Sequence, residues 1–294
     1  MKKYVAKLLV LFMATIFFTG CEMEDFVVDY DFTAIYFANR KIDRSIIIGE
    51  YDYIQVGVVL SGKVANNTEE WAKYHLNPDT VTGSGYTVLP DNYYTIENSI
   101  EGKDPGTFYV PSGDWLGMVK VTLNDQFVND PLALTANYAL GFELEKNNTS
   151  VDSILTGKEA VIITFKYISN AEGFYYHNGV ATGGTEAIVY DQKVWELSTE
   201  GTTSVESNGL GNGLGGAQNK ILIEINADNT VTLSSADGGL PITDLSGSRY
   251  DPDLRQFYLN YSYDEGGVIY NSTDTLVFRN RVVDGINQWD LLSK

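Results

Sequence analysis

The 294-residue sequence holds one cysteine, Cys21, and two histidines, His75 and His177. A single thiol excludes an intrachain disulfide and a cysteine-cluster metal site. Two imidazoles this far apart in sequence exclude the compact zinc-enzyme motif His-Glu-x-x-His, and no Gly-x-Ser-x-Gly occurs either. Positive charge is scarce as well. Twenty Lys and Arg face 39 Asp and Glu, a formal net charge of −19. Nucleic acid needs basic patches to displace its counterions, so that class of partner is excluded. Broad adhesion to anionic lipid headgroups is disfavoured for the same reason. Neutral ligands, held without ion pairing, are the compatible class. Helical periodicity is nearly absent, whereas 20 Tyr, 13 Phe and 28 Gly supply the aromatic and turn-forming residues of an all-β protein.

The most informative stretch is the first. Lys2, Lys3 and Lys7 precede an apolar run from Leu8 to Phe18. The run suits a secretion signal but falls short of the roughly 20 residues of a membrane-spanning helix. Phe18-Thr19-Gly20-Cys21 then resembles the lipobox of bacterial lipoproteins, with Phe18 where Leu is usual. The resemblance implies cleavage before Cys21 and a diacylglycerol on its sulfur; the plainer reading is an ordinary signal peptide with a chance cysteine. Buried acyl methylenes contribute about 0.8 kcal/mol each, so two or three chains anchor stably. Loss of residues 1–20 removes three lysines, leaving 274 residues at a net charge of −22 and no free thiol for catalysis. Glu22, Glu24, Asp25, Asp29 and Asp31 follow as an acidic tether over residues 21–32, kept extended by like charges. Such residues resemble the signal that sends Bacteroidetes-type lipoproteins to the outer face of the outer membrane; a spacer is the plainer alternative.

Alternating apolar residues predict strands at Thr33–Ala38, Ile46–Ile48, Tyr53–Leu60, Tyr86–Leu89, Tyr93–Ile96, Thr107–Val110, Val119–Leu123, Tyr138–Leu144 and Ala160–Tyr167. Asn66–Leu76 reads as the one helix, capped by Thr68, with Trp71, Tyr74 and His75 along one side and Pro78 as its stop. The turn rhythm predicts an immunoglobulin-like β-sandwich over residues 33–168. After Ser169–Gly173 come further strands at Phe174–His177, Glu186–Leu197, Lys220–Asn226, Thr230–Ser234, Gln256–Tyr263, Val268–Phe278 and Gln288–Leu292. They predict a second antiparallel β domain over 173–294, either a sandwich or a lipocalin-like barrel. The Gly/Ser/Thr/Asn-rich stretch 198–218 reads as a loop.

Leu89-Pro90-Asp91-Asn92-Tyr93-Tyr94, Tyr109-Val110-Pro111-Ser112-Gly113 and Tyr138-Ala139-Leu140 resemble an N-terminal domain of unknown function common in Bacteroidetes surface lipoproteins. Gly141 stands where that family has proline. Tyr250-Asp251-Pro252, Phe257-Tyr258-Leu259-Asn260-Tyr261 and Phe278-Arg279-Asn280-Arg281 resemble the domain that accompanies it. These motifs are structural and transfer no functional residue. Proteins of this kind are usually encoded with polysaccharide-uptake systems, so the resemblance implies glycan binding.

Sugars are held by aromatic rings against their apolar faces, with amides and carboxylates on the hydroxyls. Trp115, after Ser112-Gly113-Asp114 in a turn, is the first candidate, with Asp114 as hydroxyl acceptor. The plainer reading lets Trp115 start the next strand and pack inward. Trp71 and Tyr74 share a helical face if the helix forms, though such a pair more often fastens a helix to its sheet. Trp195 lies outside if its neighbour Val194 faces the core. Tyr175, Tyr176 and His177 mark a first strand, and Trp289 is expected to close the second core. Glu143 and Glu145 share a strand face about 7 Å apart, a glycosidase-like spacing that reads equally as a solvated face. Asp251-Pro252-Asp253 and Asn124-Asp125 with Asn129-Asp130 offer calcium-type oxygens but fit no EF-hand. The glycine-rich stretch lacks the Lys-Ser/Thr of a P-loop. Asp79-Thr80-Val81, Asp152-Ser153-Ile154 and Asp274-Thr275-Leu276 look like the Asp-Ser/Thr-apolar sites that Bacteroidetes glycosylate.

The sequence thus predicts a non-enzymatic, lipid-anchored surface protein without cofactor or metal, binding oligo- or polysaccharide beside an outer-membrane transporter or surface hydrolase. An adhesin or pilus-associated subunit is the first rival, and a glycoside hydrolase the second.

Overall fold

The computed structural model describes residues 32–207, 220–236 and 239–289. The signal, Cys21, the acidic tether before Phe32 and the glycine-rich 209–216 lie outside them. Residues 34–168 form eleven strands: β1 (Ala34–Tyr36), β2 (Lys41–Ile47), β3 (Tyr53–Ser61), β4 (Glu70–Leu76), β5 (Thr87–Val88), β6 (Tyr94–Asn98), β7 (Thr107–Val110), β8 (Leu116–Leu123), β9 (Tyr138–Thr149), β10 (Ser153–Ile154) and β11 (Ala160–Ile168). They make two sheets, ordered β10-β1-β3-β8-β6 and β2-β11-β9-β4-β7, with β5 against β9. Alternation sends Ile54, Val56, Val58 and Leu60 of β3 inward, onto a core shared with Phe108, Phe142 and Phe165. This is the immunoglobulin-like sandwich that the turn rhythm predicts.

The helix expected over Asn66–Leu76 does not form. β4 occupies its second half, with Ala72 and Tyr74 buried, Lys73 and His75 exposed, and ladders to β7 and β9. A period of two governs this segment, because two flanking strands offer it paired backbone and a buried face. A helix starts where the expected one was to stop. In α1 (Pro78–Gly83) Pro78 fills a first-turn position that needs no N–H, and Asn77 Oδ1 accepts from the Asp79 and Thr80 amides. A single turn, α2 (Asp125–Val128), is capped by Asn124 in the same way.

Residues 173–288 supply β12 (Gly173–Thr182), β13 (Ile188–Thr199), β14 (Ser204–Ser207), β15 (Ile221–Ile225), β16 (Val231–Ser235), β17 (Ile242–Asp244), β18 (Arg249–Asp251), β19 (Gln256–Glu265), β20 (Val268–Val283) and β21 (Ile286–Gln288). These ten strands run β16-β15-β14-β13-β12-β20-β19-β17, with β18 also on β19 and β21 on β20. Of the two architectures that the sequence leaves open, this is the near-closed barrel. At its seam the Val231 amide donates to Ser248 O and the Tyr250 amide to Asn229 O. Further along the seam side chains take over: Asp244 Oδ2 accepts from the Leu233 amide and Ser235 Oγ from the Ile242 amide. The barrel is filled by side chains, among them Tyr175, Trp195, Tyr261 and Leu276, all fully buried.

Sandwich and barrel meet where β2 and β11 end. Ile47 and Ile168 pack on Val283 of β20. Ser45 donates through its amide and its hydroxyl to the Asp284 carboxylate. Glu50, in the turn after β2, receives Arg281 and Arg255 from the barrel wall. β3 starts beside this junction and ends away from it at Ser61, which lies opposite Ala34 at the start of β1. The chain therefore enters the sandwich at the end remote from the barrel.

Candidate ligand-binding site

The structure separates the residues proposed from sequence. Tyr74 faces the sandwich core and donates its hydroxyl to Pro105 O, so it does not share a face with Trp71. Its pKa is raised far above the usual phenol value by burial. Trp195 is fully buried, while Val194 is the exposed member of the pair. The register decides this: Trp195 lies opposite Tyr175, which points into the barrel. Neither Tyr74 nor Trp195 is open to a surface ligand.

Trp71, Asp114 and Trp115 lie together at the remote end of the sandwich. Trp71 is half-buried on an outward sheet face opposite Tyr109, whose ring carries Lys103 Nζ 4.5 Å from its centroid. The turn holding Asp114 and Trp115 is pinned from beneath by buried Asn66, whose Nδ2 donates to Pro111 O and Asp114 O at 2.8 and 3.0 Å. Next to Asn66, Glu70 is buried and accepts from Lys63, Ser150 and Thr68. Burial alone would raise its pKa, but these donors outweigh it and hold the carboxyl below its ordinary value.

The acidic candidates are committed to local structure. Glu143 accepts from Asn77 Nδ2 at 2.6 Å, with His75 Nε2 3.8 Å away, and Glu145 accepts from Asn148. Asn124 caps α2, Asp130 takes the hydroxyls of Tyr93 and Tyr138, and Asp251 closes a turn by accepting the Asp253 and Leu254 amides. Among the described residues no group of three His, Cys, Asp or Glu is placed to hold a metal ion. Of the three Asp-Ser/Thr triplets, the one at Asp274 has its hydroxyl residue, Thr275, half-buried between buried Asp274 and Leu276.

The most exposed tryptophan is the one expected in a core. Trp289 is 52% exposed, just beyond β21. Among the described residues β21 pairs only with the last residues of β20, Arg281–Val283, past the ladders that β20 makes with β12 and β19, so the residue following it lies beyond the barrel interior. Arg279 of β20 lies with its guanidinium carbon 5.3 Å from the Trp289 ring centroid and 5.7 Å from that of Tyr176. Tyr176 is the outward member of the run Tyr175-Tyr176-His177, both neighbours being buried. Each cation–ring contact is worth about 0.5–1 kcal/mol at an exposed site. Together they hold a flat, half-open indole on the barrel wall, flanked by exposed Val194 across from Tyr176 and by Asn287, whose Oδ1 accepts from Asn280. The alternation through Tyr175–His177 carries the signal for Tyr176. For Trp289 the sequence carries none.

Inside the barrel a polar cluster shows why the wall alternates as it does. Asp274 accepts from Tyr261 Oη at 2.6 Å and Ser272 Oγ at 2.9 Å. His177 Nε2 lies 3.2 Å from Asp274 Oδ1 without hydrogen-bond alignment, and its ring stacks on Tyr190 and packs on Trp195. Burial first, then the Asp274 charge, push the Tyr261 phenol well above its ordinary pKa.

No protein-family model and no curated protein matches the sequence. Among solved structures, the chain is similar to a protein of unknown function from Bacteroides ovatus, at 17% identity and a TM-score of 0.67. That likeness covers 89% of this chain and 98% of the other, so the two share the whole fold. A second Bacteroides ovatus protein of unknown function is 12% identical over 87% of this chain and 97% of that one, at a TM-score of 0.45. An auxiliary nutrient binding protein from Bacteroides thetaiotaomicron is 13% identical over 84% and 93%, at a TM-score of 0.42.

Proposed function

We propose that this chain is a lipid-anchored surface protein of the Bacteroidetes kind, whose barrel binds neutral oligo- or polysaccharide without transforming it. In this reading Cys21 carries the acyl chains, and residues 33–168 and 173–294 act as two domains, spacer and binder. The observation that carries it is the indole of Trp289, solvent-open and steadied through Arg279 against Tyr176. A pyranose face laid on such a ring gains on the order of 2 kcal/mol at about 25 cal/mol per Å², while guanidinium and amide groups beside it suit hydroxyls. A neutral ligand also fits a surface whose net charge, without residues 1–20, is −22. The separate, locally bonded carboxylates Glu143 and Glu145 favour binding over hydrolysis. Tethered beside a transporter or hydrolase, even a weak site raises the local glycan concentration.

Calorimetry on residues 22–294, against glycans selected from a broad array, tests the reading. Trp289→Ala is expected to weaken binding at least tenfold with an unchanged circular dichroism spectrum. A folded wild type that binds no glycan, or a variant that binds as well as wild type, defeats it.

A further inference from the structure

Four apolar side chains stand in solvent around the end of β3 remote from the barrel: Phe32 (53% exposed), Val64 (46%), Trp115 (37%) and Leu116 (47%). The topology gathers them. Leu116 lies opposite Val59, and Trp115 O accepts from the Leu60 amide at 2.9 Å. On the other flank of β3, Phe32 leads into β1 with its carbonyl against Gly62, where a Cβ would come within 2.2 Å. Val64 follows Gly62 by two residues. The ring is held firm, since Asn66 ties the Trp115 turn to the β3–β4 connection through Pro111 O, Asp114 O and the Gly113 amide.

The described chain enters the fold at this ring, through Phe32. Cys21 lies eleven residues before Phe32, a reach of at most roughly 40 Å fully extended. With Cys21 acylated, no part of the fold is held nearer to the bilayer than this end. Tryptophan and phenylalanine are favoured at the lipid–water interface, and leucine and valine beneath it. Asp114 and Asp152 share the rim, Asp152 Oδ2 accepting from the Thr33 amide at 2.8 Å. Those carboxylates suit zwitterionic rather than anionic headgroups.

We infer that the Phe32–Val64–Trp115–Leu116 end of the sandwich seats in the headgroup layer of the membrane that carries the anchor. Trp115 and Asp114 then serve orientation rather than glycan binding, and the barrel with Trp289 points away from the bilayer. The inference rests on the anchoring part of the proposed function.

The test uses residues 22–294 held by an N-terminal hexahistidine on phosphatidylcholine vesicles containing a nickel-chelating lipid and brominated acyl chains. Bromolipid is expected to quench the tryptophan fluorescence of the wild type. Trp115→Phe is expected to remove at least half of that quenching, Leu116→Asp to reduce it, and Trp289→Phe to leave it intact. The native acylated protein in the same vesicles should behave as wild type. Absence of quenching, or quenching indifferent to Trp115→Phe, overturns the inference. So does a dimer in solution that Leu116→Asp dissolves while vesicles quench nothing. The hexahistidine replaces the acyl chains, so failure here is distinct from failure of Cys21 to incorporate labelled palmitate.

Discussion

Arg281, at 1% exposure in the barrel wall, donates through Nη1 to Glu50 Oε1 of the sandwich at 2.8 Å. Arg255 meets the same carboxylate from a neighbouring turn. One carboxylate of the sandwich thus bridges two guanidinium groups of the barrel. Glu50→Gln leaves Arg281 buried without its counter-charge, a change that costs about 3 kcal/mol. Urea unfolding near neutral pH should show this loss, and small-angle scattering should show a looser angular relation between sandwich and barrel.

The same carboxylate sets an acid limit. Burial opposes its ionisation, but Arg281 and then Arg255 outweigh burial and hold its pKa below 4.5. The unfolded chain therefore takes up the proton first as pH falls. The contribution of Glu50 is complete above its ordinary pKa and disappears as pH drops through the depressed value. Stability measured from pH 7 down to pH 3 should fall in the wild type, and the gap to Glu50→Gln should narrow toward the acid end. A constant gap would disconnect Glu50 from the acid response.

Trp195 and Trp289 should respond oppositely to substitution. Trp195→Ala empties a fully buried site and is expected to cost about 3–5 kcal/mol in unfolding free energy. Trp289→Ala removes an exposed ring with one cation–ring contact and should change stability by about 1 kcal/mol or less, while glycan affinity drops. Thermal melts paired with calorimetry separate the two.

Gly179 is required by what lies beside it. A Cβ there would come within 2.2 Å of Asp274 Oδ1 and 2.6 Å of Thr273 O. Gly179→Ala should displace Asp274 from Tyr261 and Ser272 and cost about 1–3 kcal/mol by overpacking, with a changed near-ultraviolet spectrum from the rings around His177. A variant as stable as wild type would show that β12 and β20 can part there freely.

Much of the architecture is legible in the residues. Alternation in Tyr53–Leu60 or Lys220–Asn226 reports directly which side chains face inward, because a strand with one buried face must repeat every two residues. It fails where parity depends on a partner. Val194 and Trp195 form an alternating pair, but only the register with Tyr175 says which member is inside. It fails again at Trp71–His75, whose spacing satisfies a helix and a strand alike until β7 and β9 supply ladders. The short strands β14, β17 and β18, of three or four residues, are too brief for any period to register. The Tyr176–Arg279–Trp289 stack joins residues from three strands or their ends, and proximity of that kind is written in topology rather than in spacing.

The seam between β16 and β17 gives the barrel a line of least resistance. Elsewhere along the wall, backbone ladders bind each strand to its neighbours, but here Asp244 and Ser235 substitute a carboxylate and a hydroxyl for carbonyl partners. A tube whose seam has backbone bonds at one end only, at Val231 and Tyr250, and these two clasps along the rest can gape there while its remaining staves stay aligned. Deuterium should therefore enter the amides of Leu233 and Ile242 before it reaches those of β12 or β19, and Asp244→Ala should advance that uptake without unfolding the sandwich.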